Sequence, residues 1–583
     1  MSSIHYRPEI DGLRALAVLP VVLYHAGATW IPGGFMGVDV FFVISGYLIT
    51  SIIWRDIEAN RFNLVGFYER RFRRIVPALL VVLLFVVAVI HHVALPRQVL
   101  DTNKSAVAAM LSVSNFWFWT RSGYFAPAVE FMPLLHTWSL AVEEQFYVLF
   151  PVLLLTAKRF RFRVQACILI ALPVLFLISV YLSYTKPDIA FYLLPARAWE
   201  LALGAALALK TIPAVRSEWL ASALAAAGLL MLSFAYLLGD ASLVFPGFLA
   251  LLPCLGAALV IHCAHRSRFV MSALGSRPLV AVGLISYSLY LWHWPVLVLT
   301  RMQTASIDLS PIDSAASVSI ATIIAVLSWK FVELPFRGSR VSTRHVVIIC
   351  GVFAVSISAI ALAAFYGRGY PDRLDEIAAT AMRAKDDVDP MREKCRGVRP
   401  VGECQFGGDG RPGYILVGDS HAAAMRPAFE SVVALKGLRG ELWWESGCVV
   451  LQGAETTRVG AEHCRSFKAE VFSALERRSD ISLVVLAARW PSYLLGTNPE
   501  QVGRHRTFLV PSNGKGSQSE EATITLFERS IEATVKRIVQ SEKRVVLIGT
   551  VPEPGFDVPT LTALARLNSV VRDGDLSVDE VQE

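Results

Sequence analysis

Apolar runs of about 20 residues recur along the chain up to Gly367, separated by short polar stretches. A helix rises 1.5 Å per residue, so about 20 such residues cross the hydrocarbon of a bilayer. Eleven runs fit, centred near Val18, Ile44, Leu83, Phe150, Ala171, Ala202, Ala225, Leu252, Ser288, Ile323 and Ser356. No period-two alternation runs through them, and only helices or closed barrels satisfy backbone groups in lipid, so the pattern predicts a polytopic bundle of about eleven helices. The stretch Ala106 to Trp119 is read as an interfacial helix, because a twelfth crossing would invert the downstream charge pattern. Ala15 to Tyr24 followed by Ala26-Gly27-Ala28 has the outline of a signal peptide, but a second span follows almost at once, so it is read as retained.

After Tyr370 the apolar runs shorten to strand length and Gly-Pro clusters appear. Tyr414 to Val417, Leu483 to Ala487 and Arg544 to Ile548 read as buried parallel strands with helical stretches between them, which predicts an α/β domain. The expected divisions are a membrane domain over 1–340, an eleventh span with linker over 341–412, and the α/β domain over 413–583.

Composition supports this division. The 583 residues are 54% hydrophobic and 18% charged, with a mean hydropathy of +0.50, which excludes a wholly soluble, collagenous or disordered chain. The net charge of +7 does not point to nucleic acid, because the basic residues cluster between apolar runs. With a cytoplasmic N-terminus, the inside loops hold Arg55, Arg61, Arg70, Arg71, Arg73 and Arg74, then Lys158, Arg159, Arg161 and Arg163, then Lys210 and Arg216, then Arg266, Arg268 and Arg277, then Arg337, Arg340 and Arg344, while the opposite loops are nearly bare. An odd number of crossings puts everything after Gly367 outside the cytoplasm. There, Cys395, Cys404, Cys448 and Cys464 allow two disulfides; spacing favours 395 with 404 and 448 with 464, among three possible pairings. Cys167, Cys254, Cys263 and Cys350 lie in or beside spans and read as packing residues. No cysteine or histidine spacing suggests a zinc site.

Ionisable residues inside spans are costly and mark candidate chemistry. They are Arg14 and His25 on the first span, Asp39 on the second, Glu143 and Glu144 on the fourth, Arg197 and Glu200 near the sixth, His293 on the ninth, and Lys330 and Glu333 on the tenth. Arg14 and His25 are three turns apart on one face, roughly 16 Å. Histidine is the natural general base near neutral pH, and a carboxylate such as Glu143 would orient it. A lone membrane histidine is equally well read as a packing residue, and His91 and His92 are assigned so. The four arginines of Arg70-Arg71-Phe72-Arg73-Arg74 are explained by topology alone, yet guanidinium forks also match phosphate.

Several motifs together resemble the bacterial membrane acyltransferase-three family. They are Tyr6-Arg7-Pro8-Glu9-Ile10-Asp11-Gly12-Leu13-Arg14, the ten-residue gap from Arg14 to His25, Gly37-Val38-Asp39-Val40-Phe41-Phe42, the double-arginine motif, His136-Thr137-Trp138-Ser139-Leu140-Ala141-Val142-Glu143-Glu144, and Ser286-Tyr287-Ser288-Leu289-Tyr290-Leu291-Trp292-His293. The resemblance covers most of residues 6 to 340. It implies an integral membrane enzyme that O-acetylates extracytoplasmic carbohydrate with cytoplasmic acetyl-CoA. It also implies His25 as the catalytic histidine, Arg14 as its companion, Glu143 as the acidic position, Arg71 and Arg74 as anchors for the CoA phosphates, and no metal.

Gly418-Asp419-Ser420-His421 directly follows a predicted strand, and a serine on such a turn has an exposed hydroxyl beside backbone donors. With Trp444 to Cys448 and Val484 to Trp490, the segment is similar to the SGNH hydrolase-like domain fused to these acyltransferases, which implies Ser420 as nucleophile and the 418–420 turn as part of an oxyanion site. That family also has an Asp-x-x-His pair near the domain's end. None stands before Glu583: Asp579 has no following histidine, and His421, His463 and His505 lack the spacing. The domain is therefore expected to be C-terminally incomplete, through either a shortened sequence or an incomplete serine site.

Three functions are carried forward. The first is an inner-membrane O-acetyltransferase acting on a cell-envelope glycan such as O-antigen lipopolysaccharide or peptidoglycan. The second is a transporter or flippase of a lipid-linked sugar, and the third a membrane-anchored carbohydrate esterase. Eleven spans with internal Arg and His argue against a mere anchor, and no inverted repeat is evident.

Overall fold

The computed structural model describes residues 6–121, 129–160, 162–240, 243–338, 341–398, 403–409, 413–457, 462–494, 508–512, 519–549 and 557–569. His505, Asp579 and the end of the domain where an Asp-x-x-His pair would stand therefore lie outside the described residues. The chain forms two units, one comprising Met1–Ala379 with Thr560–Arg572 and the other Thr380–Pro559 with Asp573–Glu583.

The described residues of the first unit form helices and no strands. In order these are α1 (Pro8–His25), α2 (Gly37–Glu58), α3 (Leu64–Val93), α4 (Pro96–Met110), α5 (Ser114–Thr120), α6 (Thr137–Arg159), α7 (Val164–Thr185), α8 (Pro187–Tyr192), α9 (Leu194–Ala208), α10 (Glu218–Leu238), α11 (Leu251–Cys263), α12 (Arg268–Leu274), α13 (Arg277–Thr304), α14 (Pro311–Ser328), α15 (Leu334–Arg337) and α16 (Thr343–Tyr366). Their starts carry ordinary signals. Asn63, Ser217, Ser267, Ser310 and Ser342 accept hydrogen bonds from first-turn amides, and Pro8, Pro96 and Pro311 occupy the first turn, where no amide hydrogen is needed.

All eleven predicted centres fall on helices. Among the described residues, eight helices are long and apolar enough to cross a bilayer; α1, α9 and α11 are shorter or more polar, so the eleven apolar runs are not equivalent. Glu9, Asp11 and Arg14 lower the hydropathy of α1, while α9 has 15 residues and α11 has 13. These three are largely buried among other helices, so they need not present a full apolar length to lipid. The stretch 106–119 divides at Ser112, whose φ is +55°, into α4 and α5, and neither is long enough to span.

Helix α13 lies in the middle of this unit and is mostly buried, whereas α7 and α16 display Leu169, Ile170, Leu177, Ile348, Val352 and Val355 outward. Glycine sets the closest crossings. A Cβ on Gly46 of α2 would lie 2.0 Å from the Leu201 carbonyl oxygen, and one on Gly204 of α9 would lie 2.1 Å from that of Val43. The α1 and α13 backbones meet in the same way, since a Cβ on Gly283 would lie 1.9 Å from the Asp11 oxygen. Small residues allow such approach, and dispersion and polar contacts then hold helices together where lipid supplies no hydrophobic drive.

The second unit begins within α17 (Glu376–Asp386). It contains β1 (Gln405–Gly407), β2 (Tyr414–Gly418), α18 (Ser420–Ala434), β3 (Arg439–Trp444), β4 (Ala454–Thr456), α19 (Glu462–Arg477), β5 (Leu483–Ala487), α20 (Trp490–Leu494), β6 (Leu509–Pro511), α21 (Glu520–Gln540) and β7 (Arg544–Ile548). Five strands pair in the order β1-β3-β2-β5-β7, with β1 antiparallel and the others parallel, and β4 pairs with β6 separately. Alternate residues of the central strands enter opposite cores. Ile415, Val417, Val484 and Leu486 pack with Phe467, Val471 and Leu475 of α19, and Leu416, Leu442 and Val485 pack with Ala422 and Ala423 of α18. This two-sided burial makes the strands continuously apolar.

All three expected strands form and are parallel. The expectation of burial fails for β7, which lies at the sheet edge with Val546 and Leu547 exposed. Cys395 pairs with Cys404 and Cys448 with Cys464, the locally favoured combination. Cys254, Cys263 and Cys350 are buried as packing residues, but Cys167 is exposed on α7.

Candidate active site

The double-arginine segment opens α3, and helical spacing divides its roles. Arg73 is buried and donates to the Gly338 and Val341 carbonyls. Arg70 lies outward, 3.9 Å from Asp56. Arg71 and Arg74, three residues apart on a third face, line a cavity of about 90 Å³ together with Arg14, Ser45, Glu143, Ser139 and Tyr290. The guanidinium of Arg71 lies over the Tyr147 ring, 5.2 Å from its centroid. Arg14 Nη1 donates to Asp11 Oδ1 at 3.2 Å. Glu143 accepts a hydrogen bond from Ser45 Oγ. The cavity thus has a cationic end and mostly apolar walls, suited to an anionic group carrying an apolar or neutral arm.

His25 closes the last turn of α1, so its ring stands apart from Arg14 along the same helix. It does not line the cavity. Its Nδ1 is 3.1 Å from His293 Nε2 of α13, the two rings are stacked 5.3 Å apart, and Trp294 meets His25 edge-on at 4.6 Å. Arg301 Nη2 donates to the His25 carbonyl at 2.8 Å, which fixes the end of α1 against α13. The His136 ring lies 5.8 Å from that of His293. Between this histidine group and the cavity stands Tyr290. Its hydroxyl bonds with Ser139 Oγ at 2.6 Å and donates to the His136 carbonyl at 2.9 Å, while its ring meets His136 and His293.

The expectation that Glu143 orients His25 is corrected. Glu143 bonds with Ser45 at the arginine end, and the group that meets His25 is His293, which the sequence marked as a membrane ionisable and as the end of the Ser286 to His293 motif, without a partner. No sequence signal paired these two residues, 268 positions apart.

Asp39, Arg197 and Glu200 also converge, fully buried. Arg197 Nη1 donates to Asp39 Oδ1 at 2.7 Å and to Glu200 Oε1 at 2.8 Å. Four rings surround the guanidinium, those of Phe42, Trp138, Phe191 and Phe245, at 5.0 to 5.9 Å. Cys254 completes a set with Asp39 and Glu200 whose ligand atoms lie within 4.8 Å of one another. Arg197 already bridges the two carboxylates, so the set does not suit a cation. In a second such set, Cys448, His463 and Cys464, the two sulfurs are joined to each other.

In the second unit, Ser420 is the first residue of α18, directly after the central strand β2. The chain leaves β2 for β3 on one side and β5 on the other, so the C-terminal end of β2 is the switch point where open α/β sheets bind ligands. Gly418 is required there, since a Cβ would lie 1.7 Å from the Ala487 oxygen of β5. Asp419 accepts from the His421 and Arg489 amides at 2.8 and 3.0 Å and from the Tyr493 hydroxyl at 3.0 Å. Asp419 is thereby committed to holding the turn. Ser420 Oγ makes no hydrogen bond among the described residues, so the structure does not join it to a base.

Comparison with known proteins gives two family matches. A model described as an acyltransferase domain matches residues 7–329, and one described as an SGNH domain fused to such acyltransferases matches residues 388–583. The chain is 34% identical over 349 residues to the peptidoglycan O-acetyltransferase OatA of Listeria monocytogenes, covering 57% of this chain and 56% of that one. It is 32% identical over 352 residues to the O-acetyltransferase OatA of Staphylococcus aureus, covering 58% of each. The alignments thus span less than two thirds of the length of these relatives. No solved structure matches the chain significantly.

Proposed function

The chain belongs to the acyltransferase-three family, and from that premise we propose that it is a membrane O-acetyltransferase that moves acetyl from cytoplasmic acetyl-CoA to a hydroxyl of an extracytoplasmic cell-envelope glycan. The observation that carries this reading is a site with two chemically different ends in one helical unit. An arginine-lined cavity holds Arg14, Arg71 and Arg74, and a histidine group lies beyond Tyr290 at the far end of α1. The CoA phosphates are too charged to cross lipid, so the arginines hold them at the cytoplasmic face while the slender thioester arm enters the bundle. His25 takes the proton of the sugar hydroxyl as its oxygen attacks the thioester carbon, and that proton leaves with the CoA thiolate. Glu143 stands with the arginines and balances their charge.

This reading takes the basic loops as cytoplasmic, with the N-terminus on that side of the bacterial inner membrane and the SGNH-like unit outside, and the two disulfides suit that oxidising side. Peptidoglycan is the acceptor named for the Listeria relative, and O-antigen lipopolysaccharide is the other glycan class of matching chemistry. Ser420 would act within the outer unit, on the glycan or on the acyl group.

The test supplies labelled acetyl-CoA to the cytoplasmic side of vesicles and scores ester-linked label on each purified glycan. His25→Ala and the pair Arg71→Ala with Arg74→Ala are expected to abolish labelling, and Ser420→Ala decides whether the outer serine takes part. Undiminished labelling with His25→Ala refutes the mechanism. Glycan translocation without labelling would favour the transporter.

A further inference from the structure

His293 Nδ1 lies 2.7 Å from the Tyr290 carbonyl oxygen and 3.2 Å from that of Leu289. Two acceptors at one ring nitrogen require that it carry the hydrogen. In a neutral imidazole the other nitrogen is then bare, so His293 Nε2 is an acceptor. Its partner at 3.1 Å is His25 Nδ1, which must therefore be the donor. A neutral His25 that donates from Nδ1 has its lone pair at Nε2. Neutrality follows from the surroundings. His293 is fully buried, Arg301 holds the adjoining carbonyl, His136 and Trp294 contribute only rings, and among the described residues no carboxylate hydrogen-bonds either imidazole. A cation there would be buried without a counter-charge.

We propose that His293 is the positioning residue of the acetyl transfer: anchored by the Leu289 and Tyr290 carbonyls, it holds His25 in the tautomer whose Nε2 is free to take the acceptor proton. This rests on the reading of His25 as the base. The backbone of α13 thus sets a proton position on α1 through one intervening ring, as a carboxylate sets a histidine tautomer in other general-base sites. His25 Nε2 makes no hydrogen bond among the described residues, which leaves it open for substrate. Arg301 assists by holding the His25 backbone against α13.

The test compares His293→Gln with His293→Phe in the acetyl-CoA labelling assay, using full-length protein in vesicles, with His25→Ala as baseline and thermal unfolding as a check on folding. Glutamine keeps an acceptor oxygen where Nε2 stood, whereas phenylalanine keeps the ring and its packing without an acceptor. If His293 acts through the tautomer, His293→Phe lowers kcat roughly a hundredfold with KM unchanged, and His293→Gln stays within about tenfold of the parent. If both are equally inactive, or if His293→Phe is as active as the parent while His25→Ala is dead, the proposal is overturned and the His25 reading stands. Activity retained by His25→Ala overturns that reading, and this proposal with it.

Discussion

Arg197→Met removes the one cation that bridges Asp39 of α2 and Glu200 of α9. Its Nη1 lies 2.7 and 2.8 Å from their oxygens and all three side chains are at most 1% exposed, so each charge pair is worth about 4 kcal/mol even at an effective dielectric of 20. Methionine fills the aromatic cage but leaves the two carboxyl groups facing each other without the guanidinium. Breaking a buried pair in this way costs roughly 3–5 kcal/mol, because an uncompensated charge stays behind. At about 2 °C per kcal/mol for a large domain, the melting temperature of the purified full-length protein falls by roughly 6–10 °C. The second arm is Arg197→Met combined with Asp39→Asn and Glu200→Gln, which removes all charge from the site. Neutral replacement of a whole buried network costs little, so most of the lost stability returns. A single variant as stable as the parent, or a triple variant no better than the single, refutes the reasoning that this network works through charge balance.

In the SGNH-like unit, Cys448→Ser with Cys464→Ser opens a loop of separation 16 and removes about 3 kcal/mol by the chain-entropy estimate; hydrogen exchange of the β2 and β3 amides in the full chain should lose roughly a hundredfold of protection, and unchanged protection contradicts the estimate. Arg478 grips Asp480 through two hydrogen bonds of 2.7 Å, and this holds the carboxyl below its ordinary range. A lowered folded value gives stability that is complete above the unfolded value of about 3.9 and is lost as the pH falls through the folded one. Asp480→Asn should therefore lower stability at pH 7 and flatten its decline between about pH 5 and 3, measured by the same exchange experiment; an unchanged slope counts against the pairing.

Much of the architecture was legible in order along the chain. Apolar runs of spanning length located the helices because lipid forbids unsatisfied backbone, a constraint that acts locally. Two-sided burial wrote β2 and β5 as short apolar runs. Neighbouring cysteines paired because a separation of 9 or 16 residues keeps the partners close in any compact fold. The edge position of β7 was not legible, since the same run of valine and isoleucine serves an inner strand or an outer one.

The site divides along the same line. Family motifs pointed to Arg14, His25, Arg71, Arg74, Glu143 and Ser420, and helical periodicity sufficed to put Arg71 and Arg74 on one face. The sequence by itself thus determined which segments are helical, which residues are too polar for lipid, and which arginines share a face, because each follows from the geometry of a single segment. Only the tertiary structure decided that Glu143 turns to Ser45 rather than to His25, that His293 meets His25, and that Arg197 lies between Asp39 and Glu200. Those contacts join helices 98, 268 and 158 positions apart. They depend on how closely backbones approach at Gly46, Gly204 and Gly283, a property of packed pairs that no single helix encodes.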